Sequence, residues 1–371
     1  MDFSHPEASQ DLGGLVRAIT EAVCTPEHQR ELDSAQDRID RDLWSKLVEA
    51  DVLSAAAPES LGGSGYGVLE QTAVLEALGR QLAAVPYLES VMLAACALAE
   101  FGSEELQQEW AVPAVGGQKI LTVALAPEMG DGPVQARADG AGYRLTGTRT
   151  QVPYGPAADA FLVPAETDSG TQVFVISAED PGATATPLST TGLGSVGHLE
   201  LRAVEVGQNR VVGGDADSAG SAVLGWLENR RLLGAAAFQL GVVDRALELT
   251  AHYAREREQF DRPIGSFQAV SARLADAYID VKGLRLTLTQ AAWRMSEDLP
   301  ADIDIRSAAF WAAEAGHRVA HTAVHVHGGV GIDTDHPVHR YFLAAKQSEF
   351  ALGAATGALL AIGRELTDTP A

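Results

Sequence analysis

The run Arg255-Glu256-Arg257-Glu258-Gln259-Phe260-Asp261-Arg262-Pro263-Ile264-Gly265-Ser266-Phe267-Gln268-Ala269-Val270 separates two long helical patterns. Upstream, from about Trp226, residues Leu232, Leu233, Ala236, Leu240, Val243, Ala246, Leu247, Thr250 and Tyr253 trace one stripe at helical spacing, which predicts a long buried helix. Asp261, Pro263 and Gly265 break the pattern. Ser266 then stands where an N-cap belongs, opening a second helix through Ala269, Leu274, Ala277 and Val281. The connection therefore presents Arg257, Gln259, Phe260, Phe267 and Gln268 together. One cation, two amides and two rings suit a ligand that carries both phosphate and an aromatic ring. The competing reading is an inter-helix corner whose Arg and Gln satisfy backbone groups.

Working outward, helical spacing recurs at 12–23, 42–50, 68–82 and 88–101. Between the second and third lies Ala57-Pro58-Glu59-Ser60-Leu61-Gly62-Gly63-Ser64-Gly65. A glycine-rich loop can cradle phosphate, but no strand precedes this one, so a tight inter-helix connection needing positive φ is the better reading. The pattern changes after Val115-Gly116-Gly117. Short apolar or alternating runs at 120–125, 143–146, 160–164, 172–176 and 198–201 are separated by Gly, Pro and Asp. From Ser218 onward long helices return, with 305–325 and 342–365 following the pair already described. The expected architecture is α+β, mainly α: a helical domain over 1–117, a small antiparallel β domain over 118–215, and a helix bundle over 216–371.

Bulk properties narrow the function. A chain of 371 residues with 46% hydrophobic content can bury most of its apolar surface in two or three packed units. A formal net charge of -23 argues against nucleic acid and against adsorption to an anionic membrane. The apolar stretch 85–98 is interrupted by Pro86 and Glu89 and is too short to span a bilayer. Cys24 and Cys96 lack metal-ligand spacing and read as buried free thiols of a reducing compartment. The polar, acidic residues 1–10 do not read as a signal peptide, so a cytoplasmic location is expected.

Arg-x-Gln-Phe-x-x-Pro-Ile-Gly-x-Phe-Gln over 257–268 resembles the helix-loop-helix of the acyl-CoA dehydrogenase family. The likeness extends along nearly the whole chain, in the same order of helices, β domain and helix bundle. The 58–65 loop also resembles a family stretch that follows a Trp-x-x-Leu helix, here Trp44 to Leu47. The resemblance implies α,β-dehydrogenation of an acyl-CoA thioester with FAD, which needs a carboxylate base and a bound flavin ring.

Several positions depart from what that chemistry requires. The family's Ala-Leu-Thr-Glu-Pro stretch falls on Ala124-Leu125-Ala126-Pro127-Glu128, where Ala126 has no hydroxyl. Its Gly-x-Lys-x-Trp-Ile stretch, followed by Thr or Ser, falls on residues 147–153, where Gln151 replaces the indole and Pro153 lacks both hydroxyl and N–H. Leu352 occupies the usual glutamate position, and Arg231 the alternative base position on the long helix. No catalytic residue is therefore assigned to this chain. The adenosine and pyrophosphate half is kept, because in this family it meets the neighbouring subunit's Arg-x-x-Phe loop and Gln-x-x-Gly-Gly-x-Gly turn. The matching residues here are Arg257, Gln259, Phe260, Phe267 and Gln268, with His325, Gly328 and Gly329, where glycine lets backbone N–H groups approach phosphate. A metal reading for His325 and His327, with His321, His336 and His339 nearby, lacks a completing Cys or helical Glu.

The imbalance implies the base-lacking subunit of a hetero-oligomer, α2β2, whose catalytic partner supplies ring pocket and glutamate. The whole C-terminal region, including residues 333–342, resembles actinobacterial heteromeric members that oxidise CoA thioesters of steroid side chains, and the resemblance implies an electron-transfer flavoprotein as acceptor. Two alternatives stay open: a homotetramer using Glu228 or Glu349 as base, and a scaffold of the same fold without FAD.

Overall fold

The computed structural model describes residues 6–35, 37–125, 131–214 and 219–368. Local signals set most helix starts. Thr25 accepts from the His28 amide at 3.3 Å ahead of Pro26–Ser34, and Asp40 accepts from the Leu43 amide at 2.9 Å ahead of Arg41–Glu49. The Glu70 carboxylate reaches back to the Gly67 amide at 2.9 Å and so opens Val68–Arg80. In the 57–65 connection a Cβ on Gly63 would lie 2.2 Å from the Ala57 carbonyl oxygen, and Gly62 has φ 79°. The loop is a tight inter-helix turn, as its glycines suggested. Beyond it, Tyr87–Ala95 is wound as a π-helix that continues as an α-helix over Cys96–Phe101.

The middle of the chain forms an eight-stranded sheet: β1 (Leu121–Val123), β2 (Gln135–Asp139), β3 (Gly142–Pro153), β4 (Ala160–Thr167), β5 (Gly170–Ser177), β6 (Ala183–Pro187), β7 (Val196–Gly207) and β8 (Val211–Val212). Its order is β6-β7-β3-β2-β4-β5-β8, with β1 beside β4. The sheet is mixed rather than purely antiparallel, because both β1 and β2 pair with β4 in parallel. Residues of β4 and β5 are buried on both faces. Phe161, Val163, Phe174 and Ile176 fill a core within the β unit, while Ala160, Leu162, Val173 and Val175 pack with Leu98, Leu106 and Trp110 of the helices. That double burial explains their near-continuous apolar sequence.

The C-terminal region is built from helices Ala219–Glu256, Gln268–Ser296, Asp302–His327, Val338–Ala351 and Ala354–Asp368. The predicted stripe on the first is buried at Leu232, Leu233, Ala236, Leu240, Val243, Ala246 and Thr250. Two glycines let this helix lie on the 68–80 helix. A Cβ on Gly79 would come 2.0 Å from the Phe238 carbonyl oxygen, and one on Gly241 2.1 Å from that of Glu76. Ion pairs from Arg80 to Asp244 and Glu248, and from Arg285 to Glu76, edge the same contact.

Two further expectations need correcting. The predicted 342–365 helix is two helices, parted where Gly353 and Ala354 take φ 79° and 55°. Ser266 is not an N-cap: it ends a 3-10 turn and bonds the Pro263 carbonyl at 2.7 Å, while Phe267 precedes the helix.

Candidate functional site

The connection after the 219–256 helix is a miniature hairpin. Strands β9 (Glu258–Gln259) and β10 (Arg262–Pro263) pair across Phe260 and Asp261, whose φ values of 54° and 61° fit a type I′ turn. The Ile264 amide closes it on the Arg257 carbonyl at 2.8 Å. Phe260, 86% exposed, meets Phe267 edge to face with ring centroids 6.1 Å apart, and the Arg262 guanidinium lies 4.1 Å from the Phe267 ring centre. Arg257, Gln259 and Gln268 are exposed, and Arg257 makes no ion pair among the described residues. The Gln259 amide is spent locally on the Glu258 carbonyl at 2.8 Å.

The second predicted motif lies at the same end of the bundle. Gln239 donates to the Ala312 carbonyl at 3.3 Å, and fourteen residues on Tyr253 stacks on His327, with centroids 4.3 Å apart. The 219–256 and 302–327 helices therefore run in parallel and end side by side. The second helix stops at Gly328, φ 63°, and a Cβ on Gly328 or Gly329 would meet nothing within 4 Å. His325 is exposed, whereas His327 is buried, with Nδ1 against the Ala323 carbonyl at 2.7 Å. Burial, opposed by that backbone bond and aided by His336, holds the His327 pKa below its ordinary value. Exposed cationic and amide side chains and an open glycine backbone suit a phosphate-bearing ligand. Among the described residues no group of three or more His, Cys, Asp or Glu is placed to hold a metal ion.

The two expected base positions meet each other. Arg231 holds Glu228 through Nε and Nη2, each at 2.8 Å, and donates through Nη1 to the Ala351 carbonyl at 2.9 Å, next to the buried Leu352. Burial raises the Glu228 pKa, but the bond and charge of Arg231, with Arg306, outweigh it and leave the value below the usual one. Glu349 is buried and engaged on the other helix face, 2.5 Å from Lys346 Nζ and 3.3 Å from His317 Nδ1. Neither carboxylate is a free proton acceptor.

On the sheet side, Gln151 is exposed in a bulge of β3 with φ 60°, and Pro153 pairs in register with Val196. Ala126 lies outside the described residues. Sequence reasoning assigned no role to Tyr154, Gly192, Gly194 or Gln347, which the fold gathers between Pro153 and Leu352. The two glycines were the available signal, but their partner Gln347 is over 150 residues away.

Comparison with known proteins shows the family. Residues 6–118 match the acyl-CoA dehydrogenase N-terminal domain and residues 221–367 the acyl-CoA dehydrogenase C-terminal domain. The chain is 70% identical to acyl-CoA dehydrogenase FadE27 of Mycobacterium tuberculosis over the full length of both. It matches a chain of the ChsE4-ChsE5 complex from Mycobacterium tuberculosis at TM-score 0.97 and 71% identity, again over all of both chains. A chain of the Tcur3481-Tcur3483 steroid ACAD matches at TM-score 0.91 and 37% identity, covering 98% of this chain and 99% of the other. Among the described residues no helix is long and apolar enough to cross a membrane. On these matches, and on a fold that carries both motifs at one end of its helix bundle, the chain belongs to the acyl-CoA dehydrogenase family.

Proposed function

We propose that this chain is the base-lacking subunit of a hetero-oligomeric, FAD-dependent acyl-CoA dehydrogenase, α2β2, acting on the CoA thioester of a steroid side chain. The observation that carries the reading is the Arg231 bridge. It joins both expected base positions and fills them with a guanidinium and a buried leucine, so this chain has no group there to remove an α-proton. A partner chain supplies that carboxylate and the flavin-ring pocket. The similar chain found in a ChsE4-ChsE5 complex and the likeness to a steroid ACAD support a two-chain assembly and a steroid substrate.

The residues present fit one half of FAD. Arg257 and Gln268 offer donors to the pyrophosphate, Phe260 and Phe267 present faces for a ring, and His325 with the Gly328-Gly329 backbone closes the other side. A bound FAD would supply the acceptor for the hydride that leaves the acyl β-carbon. This chain's part is to bind and orient the cofactor's non-reacting end in the partner's site. An electron-transfer flavoprotein would be the acceptor of the assembly.

A self-sufficient homotetramer is disfavoured, because Glu228 is held by Arg231 and Glu349 by Lys346 and His317. The test is to purify the chain alone and with a base-bearing acyl-CoA dehydrogenase chain. The chain alone should be colourless and inactive, and the complex yellow and active. Arg257→Ala removes a charge-assisted contact worth ~1.5–3 kcal/mol, and should weaken FAD retention by the complex roughly tenfold or more. Unchanged retention would refute the role in trans.

A further inference from the structure

The 302–327 helix carries His317 and His321 one turn apart, both exposed. Residues at this spacing project from one helix face, with Cβ atoms about 5–6 Å apart. The two imidazole centroids lie 4.6 Å apart, with their planes tilted by 47°. A ring nitrogen binds a transition cation at about 2.0–2.1 Å, so two rings meeting on one ion at roughly 90–110° have centres about 4.5–5 Å apart. The pair is spaced as two ligands of one ion would be.

The neighbouring 338–351 helix holds both rings in place. Gln239 Nε2 donates to the Ala312 carbonyl at 3.3 Å and to the Ala345 carbonyl at 3.0 Å, which clamps the two helices together. A Cβ on Gly316 would lie 3.4 Å from the same Ala345 oxygen, so the backbones approach closely beside His317 and Lys346. His321 rests edge to face on Phe342, with centroids 5.3 Å apart. It makes no hydrogen bond or ion pair among the described residues. Glu349, buried, places Oε1 3.3 Å from His317 Nδ1 and Oε2 2.5 Å from Lys346 Nζ. Lys346 Nζ also stands 3.1 Å from His317 Nδ1, so ammonium and carboxylate compete for that nitrogen. When Nδ1 carries the proton and donates to Glu349, Nε2 keeps its lone pair for a metal. A carboxylate that holds one imidazole nitrogen while the other binds is the usual outer support of a metal-ligating histidine.

We propose that His317 and His321 form a two-histidine site for a divalent transition cation of the Zn²⁺ and Cu²⁺ class, with Glu349 orienting His317 and water completing the coordination. Imidazole takes these ions in preference to Mg²⁺ and Ca²⁺, which favour oxygen ligands. The formal net charge of -23 draws any divalent cation towards the surface, so selectivity between the two classes separates a built site from an ion atmosphere. With fewer protein ligands than structural or catalytic zinc, the ion is exchangeable, and the fold does not depend on it.

The test titrates Zn²⁺, Cu²⁺ and Mg²⁺ separately into the purified complex with the base-bearing partner, followed by calorimetry. Binding at this site is counted as the difference from the double variant His317→Ala with His321→Ala. One equivalent of Zn²⁺ or Cu²⁺ per copy of this chain should be found, with Cu²⁺ the tighter and Mg²⁺ giving none. His321→Ala alone should weaken Zn²⁺ binding at least tenfold, and Glu349→Gln roughly tenfold. His252→Ala, on an exposed histidine of another helix, should leave it unchanged. Electron paramagnetic resonance of bound Cu²⁺ should show coupling to two imidazole nitrogens, and to one in His321→Ala. Zn²⁺ affinity that ignores His321→Ala, or Mg²⁺ bound as tightly as Zn²⁺, overturns the proposal. Should Glu349→Gln fail to fold, Lys346→Met removes the competing ammonium and should tighten Zn²⁺ binding severalfold; unchanged or weaker binding would refute the orienting role of Glu349.

Discussion

Arg231 donates through Nη1 to the Ala351 carbonyl oxygen at 2.9 Å, so one side chain joins the two segments where the sequence resemblance expects the base. The same guanidinium holds the Glu228 carboxylate in a two-point pair. Because Glu228 keeps about a third of its side-chain surface, solvent screens the pair. Arg231→Met should therefore cost only about 1 kcal/mol at pH 7. The sign with pH follows from the depressed Glu228 value: the stabilisation is present above the ordinary glutamate pKa and is lost as pH falls through the lower folded one. Urea unfolding at pH 7 and at pH 3 checks this, and the gap between wild type and variant should shrink in acid.

A glycine in the helix contact and one outside it should respond in opposite directions. Gly79→Ala drives a Cβ into the Phe238 carbonyl, with no flexible side chain to give way, and should cost roughly 3 kcal/mol or more. Gly225→Ala sits within the 219–256 helix with open space around the new methyl, and should stabilise by about 0.5–1 kcal/mol. Thermal unfolding of both variants reads the difference directly. Equal shifts would mean that the helices are not in backbone contact at Gly79.

Phe260 separates stability from assembly. At 86% exposure its ring contributes little to the folded chain alone, so Phe260→Ser should leave the unfolding midpoint within about 0.5 kcal/mol of wild type. Retention of FAD by the complex should nonetheless fall, because the ring lies beside Phe267 at the face proposed to meet the cofactor. Equilibrium unfolding of the chain and gel filtration of the coloured complex test the two halves.

What the sequence showed and what it hid divide along physical lines. The 232–253 stripe and the strands at 160–164 and 172–176 were legible because burial imposes a period or a continuous apolar run. The break at Gly353 inside an otherwise helical pattern was missed, since a glycine in a long apolar helix is tolerated as often as it terminates one. Strand β6, Ala183–Pro187, carries mostly exposed residues and offers no alternation to read. At the site, the departures at Leu352, Gln151 and Pro153 could be read only against a familiar pattern. The seat of Gly194 on Gln347 is a contact between distant segments, and no local signal marks it.

Glu89 supplies the last test, because it is a carboxyl that the reaction does not use. It sits in the π-helical turn Tyr87–Ala95 and is half-buried. Burial pushes its pKa up to about 7, against a smaller lowering by its own backbone amide. A raised acid binds its proton in the folded chain while the unfolded chain has already lost it. Stability therefore falls as pH rises from the unfolded value near 4.5 to the folded one near 7, and is level above. Each unit of difference is worth about 1.4 kcal/mol, so ionised Glu89 costs on the order of 3 kcal/mol at pH 8. Glu89→Gln keeps the shape without the charge, and should be more stable than wild type at pH 8 by an amount that vanishes near pH 4.5. Unfolding free energies measured across that range decide the matter: an advantage that did not change with pH would place the Glu89 carboxyl in contact with water.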